Sequence, residues 1–197
     1  GGYSGDIHGI IQQALESFAA DRNGLPDYAL ETGGGSILGT RCTSTYNSRS
    51  ALISVFGIPV FSIYRSPRTI IEPSTHPGEC WAFKGDKARV VIRLATTINV
   101  TSVTLEHVSK RITLYQNIRS APKDFAVKGL RSEFDYKGEL LGNFTYNENG
   151  PSLQNFPIPV SEMSYRLVEF EVLSNYGNPE YTCVYRFRVH GVPVQDS

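Results

Sequence analysis

From Ser36 to His190 the apolar residues come in short runs that advance two positions at a time, separated by Pro, Gly, Asn and Asp. Period two is the spacing of residues along one face of a strand, so this part of the chain is committed to sheet rather than helix. The predicted strands are Ile37–Leu38, Ala51–Phe56, Pro59–Tyr64, Thr69–Ile71, Cys80–Phe83, Ala88–Leu94, Val103–His107, Asp124–Val127, Glu139–Tyr146, Tyr165–Leu173 and Val184–His190. Two of them alternate clearly. Val168, Phe170 and Val172 share one face against Glu169 and Glu171, and Tyr185, Phe187 and Val189 share one against Arg186, Arg188 and His190. Many short strands with a polar outer face and Pro/Gly turns predict a mostly β fold, a compact antiparallel β-sandwich. No unit of 20 to 50 residues repeats, which excludes a propeller or solenoid.

The first 24 residues differ. Ile7, Ile11, Ala14, Leu15 and Phe18 recur at helical spacing, with Ser4 or Asp6 as N-cap and Asn23-Gly24 as a stop. Gly9 costs such a helix about 1 kcal/mol relative to Ala, so the stripe needs a cover: the following domain, or copies of itself in a coiled coil. A second short helix is predicted over Asp27–Glu31, ended by the glycines at 33 to 35. The division is then 1–24, a helical segment or coiled-coil end, and 25–197, one domain of ordinary size with a core of its own. Gly1-Gly2 reads as a cloning remnant, which favours a piece excised from a longer protein.

With 19 Lys+Arg against 19 Asp+Glu the chain lacks the basic excess that nucleic-acid binding requires. No eighteen-residue apolar run and no basic-then-apolar leader is present, so a soluble protein or soluble part is expected. Catalytic signatures are missing as well: no HExxH, no GxSxG, no Walker loop, and four histidines isolated from one another. Cys42, Cys80 and Cys183 have no zinc-ligand spacing. They are buried free thiols, or one disulfide with a thiol left over. The sequons Asn99-Val100-Thr101 and Asn143-Phe144-Thr145 lean toward the second, in an oxidising compartment.

Two features stand out from a plain sandwich. The stretch from Ala51 to Tyr64 is apolar on both sides of Gly57 and flanked by polar and basic residues. It is a core hairpin, or a projecting flap whose edge awaits a partner. In the later strands, polar residues stand among aromatics: His107 at the end of a run, Ser120 at the head of Ser-Ala-Pro-Lys-Asp-Phe125, and Tyr181 and Tyr185 on either side of Cys183. Each taken alone is as well read as structural.

Six blocks stand in order along the chain: ALETGGGSILGTRC, HPGECWAFKGDKARVVIRL, VTLEHVSK, SAPKDFAVKGL, LLGNFTY and NPEYTCVYRFRVHG. Together they resemble the SUN domain, the luminal head of inner nuclear membrane proteins, over about Leu25 to Gly191. Asp6 to Arg22 resembles the end of the coiled coil that precedes such heads. The resemblance implies a non-enzymatic β-sandwich head that forms homotrimers. In the perinuclear space it binds the C-terminal tails of KASH proteins, forming the LINC bridge that couples nucleus to cytoskeleton for anchorage and migration. It implies a membrane-anchored full-length protein and no nucleic acid at this domain.

By the same resemblance the flap is the KASH lid, about 46–66, with Leu52, Val55, Phe56, Ile58, Val60 and Phe61 along it. The tail's carboxylate and its preceding prolines would sit in a pocket of His107, Ser120, Tyr181 and Tyr185. Hydroxyls and an imidazole suit a carboxylate, each charge-assisted bond being worth about 1.5–3 kcal/mol, and aromatic walls suit extended prolines. Cys80 and Cys183 match the intradomain disulfide, and Cys42 the thiol that cross-links to the partner. Thr69 to Cys80 resembles a loop that holds a monovalent cation, potassium or sodium, with Thr69, Glu72, Ser74, Glu79 and Tyr185 around it. Ser74 and Glu79 depart from the usual Asp and Asn there, and Tyr176 and Asn178 from the usual Trp and His. The rival reading is a carbohydrate-binding or adhesion sandwich of the secretory pathway, which shares fold class, disulfide and sequons. A thiol enzyme using Cys42 lacks a positioned base.

Overall fold

The run from Ala88 to Glu106 forms a single 19-residue strand, and the sandwich is arranged around it. The structure, a computed structural model, describes residues 24–46, 65–73, 77–110 and 117–195, together with the backbone of 53–55 and 58–60. The helix predicted within residues 1–24 lies outside the described residues. The strands are β1 (Ser36–Gly39), β2 (Ile53–Val55), β3 (Ile58–Val60), β4 (Trp81–Lys84), β5 (Ala88–Glu106) and β6 (Asp124–Leu130). They continue with β7 (Glu139–Thr145), β8 (Leu153–Pro157), β9 (Tyr165–Val172), β10 (Tyr181–Val184) and β11 (Arg186–Pro193). No helix among the described residues is long and apolar enough to cross a membrane.

β5 changes partners along its length. Its first half lies between β1 and β9, with Ile92 opposite both Ile37 and Val168. Its second half lies between β11 and β8, with Val103 opposite both Val189 and Phe156. The register slips between Arg93 and Ile98, where one strand passes between the two layers. The first layer runs β1-β5-β9-β6-β7, all antiparallel. The layers meet through aromatic rings: Phe170 of β9 stacks on Phe187 of β11 at 4.2 Å, and Phe125 of β6 meets Phe156 of β8 edge-on at 5.1 Å. Such contacts add about 0.5–1.5 kcal/mol each beyond the area they bury. The antiparallel sandwich expected from the periodicity is therefore the fold.

Several expected elements differ in detail. The two strands predicted at Ala88–Leu94 and Val103–His107 are one, because the residues between them are mostly β-branched or small, with Asn99 the single turn-type residue and no Gly or Pro. Thr69–Ile71, predicted as a strand, is buried and belongs to a 3-10 turn, Pro67–Ile71, since Pro67 presets the helical φ at its start. The Asp27–Glu31 helix is replaced by a turn and a 3-10 segment, Glu31–Gly33. There the Tyr28 N–H donates to the Val189 carbonyl at 2.8 Å, and the Tyr28 carbonyl accepts from Ala95 N–H at 2.8 Å. Bonds between strand edges outweigh a helix too short to stand alone. Gly35 is required at this corner, because a Cβ would lie 2.1 Å from the Ala29 carbonyl oxygen. β8 was not foreseen: Leu-Gln-Asn-Phe-Pro is short and ends in proline, and it becomes a strand by pairing with β5.

The largest correction concerns Arg186, Arg188 and His190. The alternation places them on a solvent face, yet all three are buried. Arg186 pairs with Asp27 at 2.9 Å and Arg188 with Glu106 at 2.6 Å. His190 Nδ1 donates to the Pro26 carbonyl at 2.7 Å, which leaves Nε2 to accept from the Thr104 hydroxyl at 2.7 Å. Residues 26–30 cover this second face of β11. Glu169, likewise expected outside, is buried between Arg41 and Arg89 at 2.8 and 3.0 Å. Charges are buried here in pairs, as desolvation requires.

Candidate functional site

The predicted run Val184–His190 is interrupted at Tyr185. Residues 181–184 pair with β4, residues 186–193 pair with β5, and the chain crosses from one sheet to the other between them. Tyr185 thus belongs to neither ladder, and its ring packs edge-on against His107 at 4.8 Å between centroids. His107 ends the run that β5 occupies, its N–H donating to the Ser152 carbonyl at 3.0 Å. Ser120 is brought alongside because the Cys183 N–H donates to its carbonyl at 2.8 Å. Tyr181 opens β10, presented by a turn in which the Asn178 side chain accepts from the N–H groups of Glu180 and Tyr181 at 2.9 and 3.2 Å.

All four predicted pocket residues line one cleft of about 650 Å³. Asn117, Arg119 and Asn178 share it; the first two were passed over in the sequence, and Asn178 was noted there only as a departure from the usual His. Arg119 is the strongest omission, a guanidinium at the mouth that donates to the Gly177 carbonyl at 3.0 Å. Its position directly before Ser120 was the available signal. Tyr176, where the resemblance leads one to expect Trp, donates its hydroxyl to the Tyr146 carbonyl behind His107.

The two His107 nitrogens are not equivalent. Nδ1 lies 3.2 Å from the Val108 carbonyl, which only accepts, so Nδ1 carries the proton of the neutral ring. Nε2 is then a lone pair, buried and without a hydrogen-bond partner among the described residues. Burial outweighs the Val108 bond and pushes the imidazole down to about 4. The unfolded chain, with His107 near 6.5, therefore takes up this proton before the folded one. Stability from this residue is intact above pH 6.5 and is lost as pH falls toward 4, by about 3 kcal/mol in all. Urea unfolding at pH 7 and pH 4 should show this loss in the wild type, and His107→Gln should lose about 3 kcal/mol less over that interval. Equal losses in both proteins would contradict the assignment. Burial also raises the Tyr185 phenol above its usual range.

The segments that lead into and out of the hairpin are both held by the domain, the entering one at this cleft. β2 and β3 pair antiparallel, Ile53 with Val60 and Val55 with Ile58, as a separate two-stranded sheet. Val55, Ile58 and Val60 lie on these strands, while Leu52, Phe56 and Phe61 lie outside the described residues. On the entering side, Tyr46 stacks on Tyr181 at 4.9 Å and its hydroxyl bonds Glu180 at 3.1 Å. On the leaving side, Arg65 pairs with Glu79 at 2.9 Å. Cys42 is exposed, unbonded, and in the left-handed region at φ 56°. From there the chain runs beside β4, the Lys84 N–H donating to Ser44 and the Tyr46 N–H to Ala82 at 3.0 and 2.9 Å. Cys42 thus stands four residues upstream of the hairpin's aromatic anchor.

Cys80 and Cys183 are bonded to each other, with Cα atoms 5.6 Å apart. The bridge joins the segment after the 3-10 turn to β10. That segment reaches the cleft a second way, the Gly78 N–H donating to the Tyr185 hydroxyl at 3.0 Å. Of the predicted cation loop, Thr69 is buried, Glu72 is half-buried and its N–H donates to the Thr69 carbonyl at 3.3 Å, and Ser74 lies outside the described residues. The Glu79 carboxylate is committed to Arg65. No group of three His, Cys, Asp or Glu side chains among the described residues is placed to hold a metal.

Residues 61–193 match the Sad1 / UNC-like C-terminal family. The chain belongs to the SUN-domain family. It is 50% identical over 188 residues to "SUN domain-containing protein 1" of Homo sapiens, covering 94% of this chain and 24% of that protein. It is 49% identical over 189 residues to "SUN domain-containing protein 2" of Mus musculus, covering 95% and 26%. "Nuclear migration and anchoring protein unc-84" of Caenorhabditis elegans is 38% identical over 194 residues, covering 96% and 17%. This SUN domain thus spans about a quarter or less of the length of these relatives. Among solved structures, the family 32 carbohydrate-binding module from Streptococcus pneumoniae EndoD aligns over 84% of this chain and 99% of its own, at TM-score 0.58 and 12% identity. That likeness confirms the sandwich and carries nothing about ligands.

Proposed function

We propose that this SUN domain is a non-enzymatic peptide-binding head that captures the C-terminal tails of KASH proteins in the perinuclear space. The full-length protein would be anchored in the inner nuclear membrane and, as a homotrimer, join the nucleus to the cytoskeleton. The names of the relatives, nuclear migration and anchoring among them, support that setting. One observation carries the reading: His107, Ser120, Tyr181 and Tyr185 line a single cleft, and Tyr46, which leads into the hairpin, stacks on Tyr181.

Physically, the tail would add as a strand to the edge of the β2–β3 hairpin. Its terminal carboxylate would enter the cleft, where the Ser120 and Tyr181 hydroxyls and the Arg119 guanidinium donate to it. His107 Nε2 donates only once protonated, so capture of the carboxylate would take up a proton at neutral pH. The tyrosine rings would pack on extended prolines. Cys42, on the stalk of the hairpin, would form a disulfide with a partner cysteine, a link that persists under tension. The loop from Thr69 to Cys80 would hold potassium or sodium through its carbonyls, and the Gly78–Tyr185 bond would pass the loop's order to the cleft.

Calorimetric titration of a KASH C-terminal peptide, as free acid and as amide, tests this. The amide should bind about 10- to 100-fold more weakly, the worth of one charge-assisted bond, and His107→Ala or Tyr185→Ala should abolish binding. Titration in choline instead of potassium chloride should weaken binding if the loop holds its ion. Equal affinity for acid and amide would refute the carboxylate pocket.

A further inference from the structure

The two sequons end up in opposite situations. Asn99 lies inside β5, opposite Val192 of β11, and is half-buried. Its Nδ2, the atom an N-glycan would occupy, donates to the Ser161 carbonyl. Gly191 backs onto the same point so closely that a Cβ there would lie 2.2 Å from the Asn99 carbonyl oxygen. Asn143 lies on β7, the last strand of the first layer, with β6 on one side and no strand on the other among the described residues.

A bulge decides which way Asn143 faces. Val127 pairs with Gly142 and Lys128 with Leu140, so Leu141 is the extra residue and the alternation of β7 restarts after it. Leu141 and Phe144 turn inward, Phe144 meeting Phe125 and Phe156 at 5.5 and 5.3 Å. Asn143 and Thr145 then share the solvent face, and both are exposed. The Thr145 hydroxyl is held on that face by the Asp124 carboxylate at 2.7 Å.

We propose that Asn143 carries an N-linked glycan and that Asn99 does not. The donor class is a lipid-diphosphate-linked oligosaccharide of the secretory pathway. The Asn143 amide nitrogen attacks the anomeric carbon of the first sugar. An N-glycosidic bond forms as the bond from that carbon to the phosphate oxygen breaks, the lipid diphosphate leaves, and the amide loses one proton. The folded domain accommodates the product because Asn143 is exposed at an open sheet edge. At Asn99 the same product would have to displace the bond to Ser161 beside a closely approaching backbone.

The 197-residue chain, directed into the endoplasmic reticulum of cultured cells by a cleavable secretory signal, provides the test. This arrangement supplies the compartment artificially, so the result concerns the acceptor site and stands apart from where the natural protein resides. The expected result is a gel-mobility shift collapsed by peptide-N-glycosidase, with conversion of Asn143 to Asp read by mass spectrometry. Asn143→Gln should abolish the shift, while Asn99→Gln and Thr145→Ser keep it. An unshifted wild-type chain, or a shift that survives Asn143→Gln and disappears with Asn99→Gln, overturns the proposal.

Discussion

Asp27→Ala is expected to cost this domain about 3–5 kcal/mol, the penalty for stranding one member of a buried ion pair. The Asp27 and Arg186 side chains are 1% and 0% exposed, and they meet at 2.9 Å. The Arg186 Nε and Nη1 atoms are buried without another hydrogen-bond partner among the described residues. Removing the carboxylate therefore leaves a guanidinium with neither water nor counter-ion. Asp27 also accepts from the Ala29 and Val189 N–H groups through its other oxygen, at 2.9 and 3.1 Å.

Three variants separate the contributions. Asp27→Asn keeps an oxygen for the backbone donors and turns an NH2 group toward Arg186, losing the ion pair but not the backbone bonds, so it should cost less than Ala. The double variant Asp27→Ala, Arg186→Met should recover much of the loss, because the buried charge is gone. In thermal unfolding the single Ala variant should melt roughly 6–20 °C lower, at about 2–4 °C per kcal/mol for a chain of this size. A loss below about 1 kcal/mol would place the pair among exposed bridges and refute the argument. Arg186 directly follows Tyr185, so this same pair anchors the first residues of the domain against the strand that follows the cleft tyrosine.

Breaking the Cys80–Cys183 bridge should have a comparable effect. The cysteines are 103 residues apart, and closing so long a loop in the unfolded chain is worth about 4–5 kcal/mol on the chain-entropy account. Cys80→Ala with Cys183→Ala should therefore lower stability by about 2–5 kcal/mol in urea, whereas Cys42→Ser, on an exposed turn, should leave it unchanged. The bridge has a second consequence that stability alone does not reveal. It holds the segment bearing Gly78 beside β10, and Gly78 bonds the Tyr185 hydroxyl. Tail affinity should fall in the double variant under conditions where the domain is still fully folded. Intact affinity and stability in that variant would show that the bridge is incidental to both.

The sandwich and the cleft residues were legible in the sequence for different reasons. Strands such as Tyr165–Val172 betray themselves by alternation, since Val168, Phe170 and Val172 must reach one core. His107, Ser120, Tyr181 and Tyr185 carry no such periodicity; they stood out as polar residues among aromatics, and only the block resemblance joined them into one pocket. Spacing along the chain does not encode that β5, the turn before β6 and the β10–β11 crossing converge. Arg119 was passed over because an arginine beside a serine is ordinary until a cleft gives it a direction. The buried face of Arg186, Arg188 and His190 was misread for a related reason: alternation separates two faces but does not say whether the second is wet.

What the sequence determined by itself is therefore local: strand-forming runs, the turns between them, and an apolar hairpin that no simple core explains. Those follow from backbone sterics and from apolar spacing, which act between near neighbours. The tertiary structure decided which polar groups are dry and which meet. Residues 26–30 fold across β11 and turn an outer face into an ion-paired interior, and the chain changes sheets at Tyr185, which sets that ring against His107. Burial and convergence are properties of elements distant in sequence, and their energies exist only once those elements have packed.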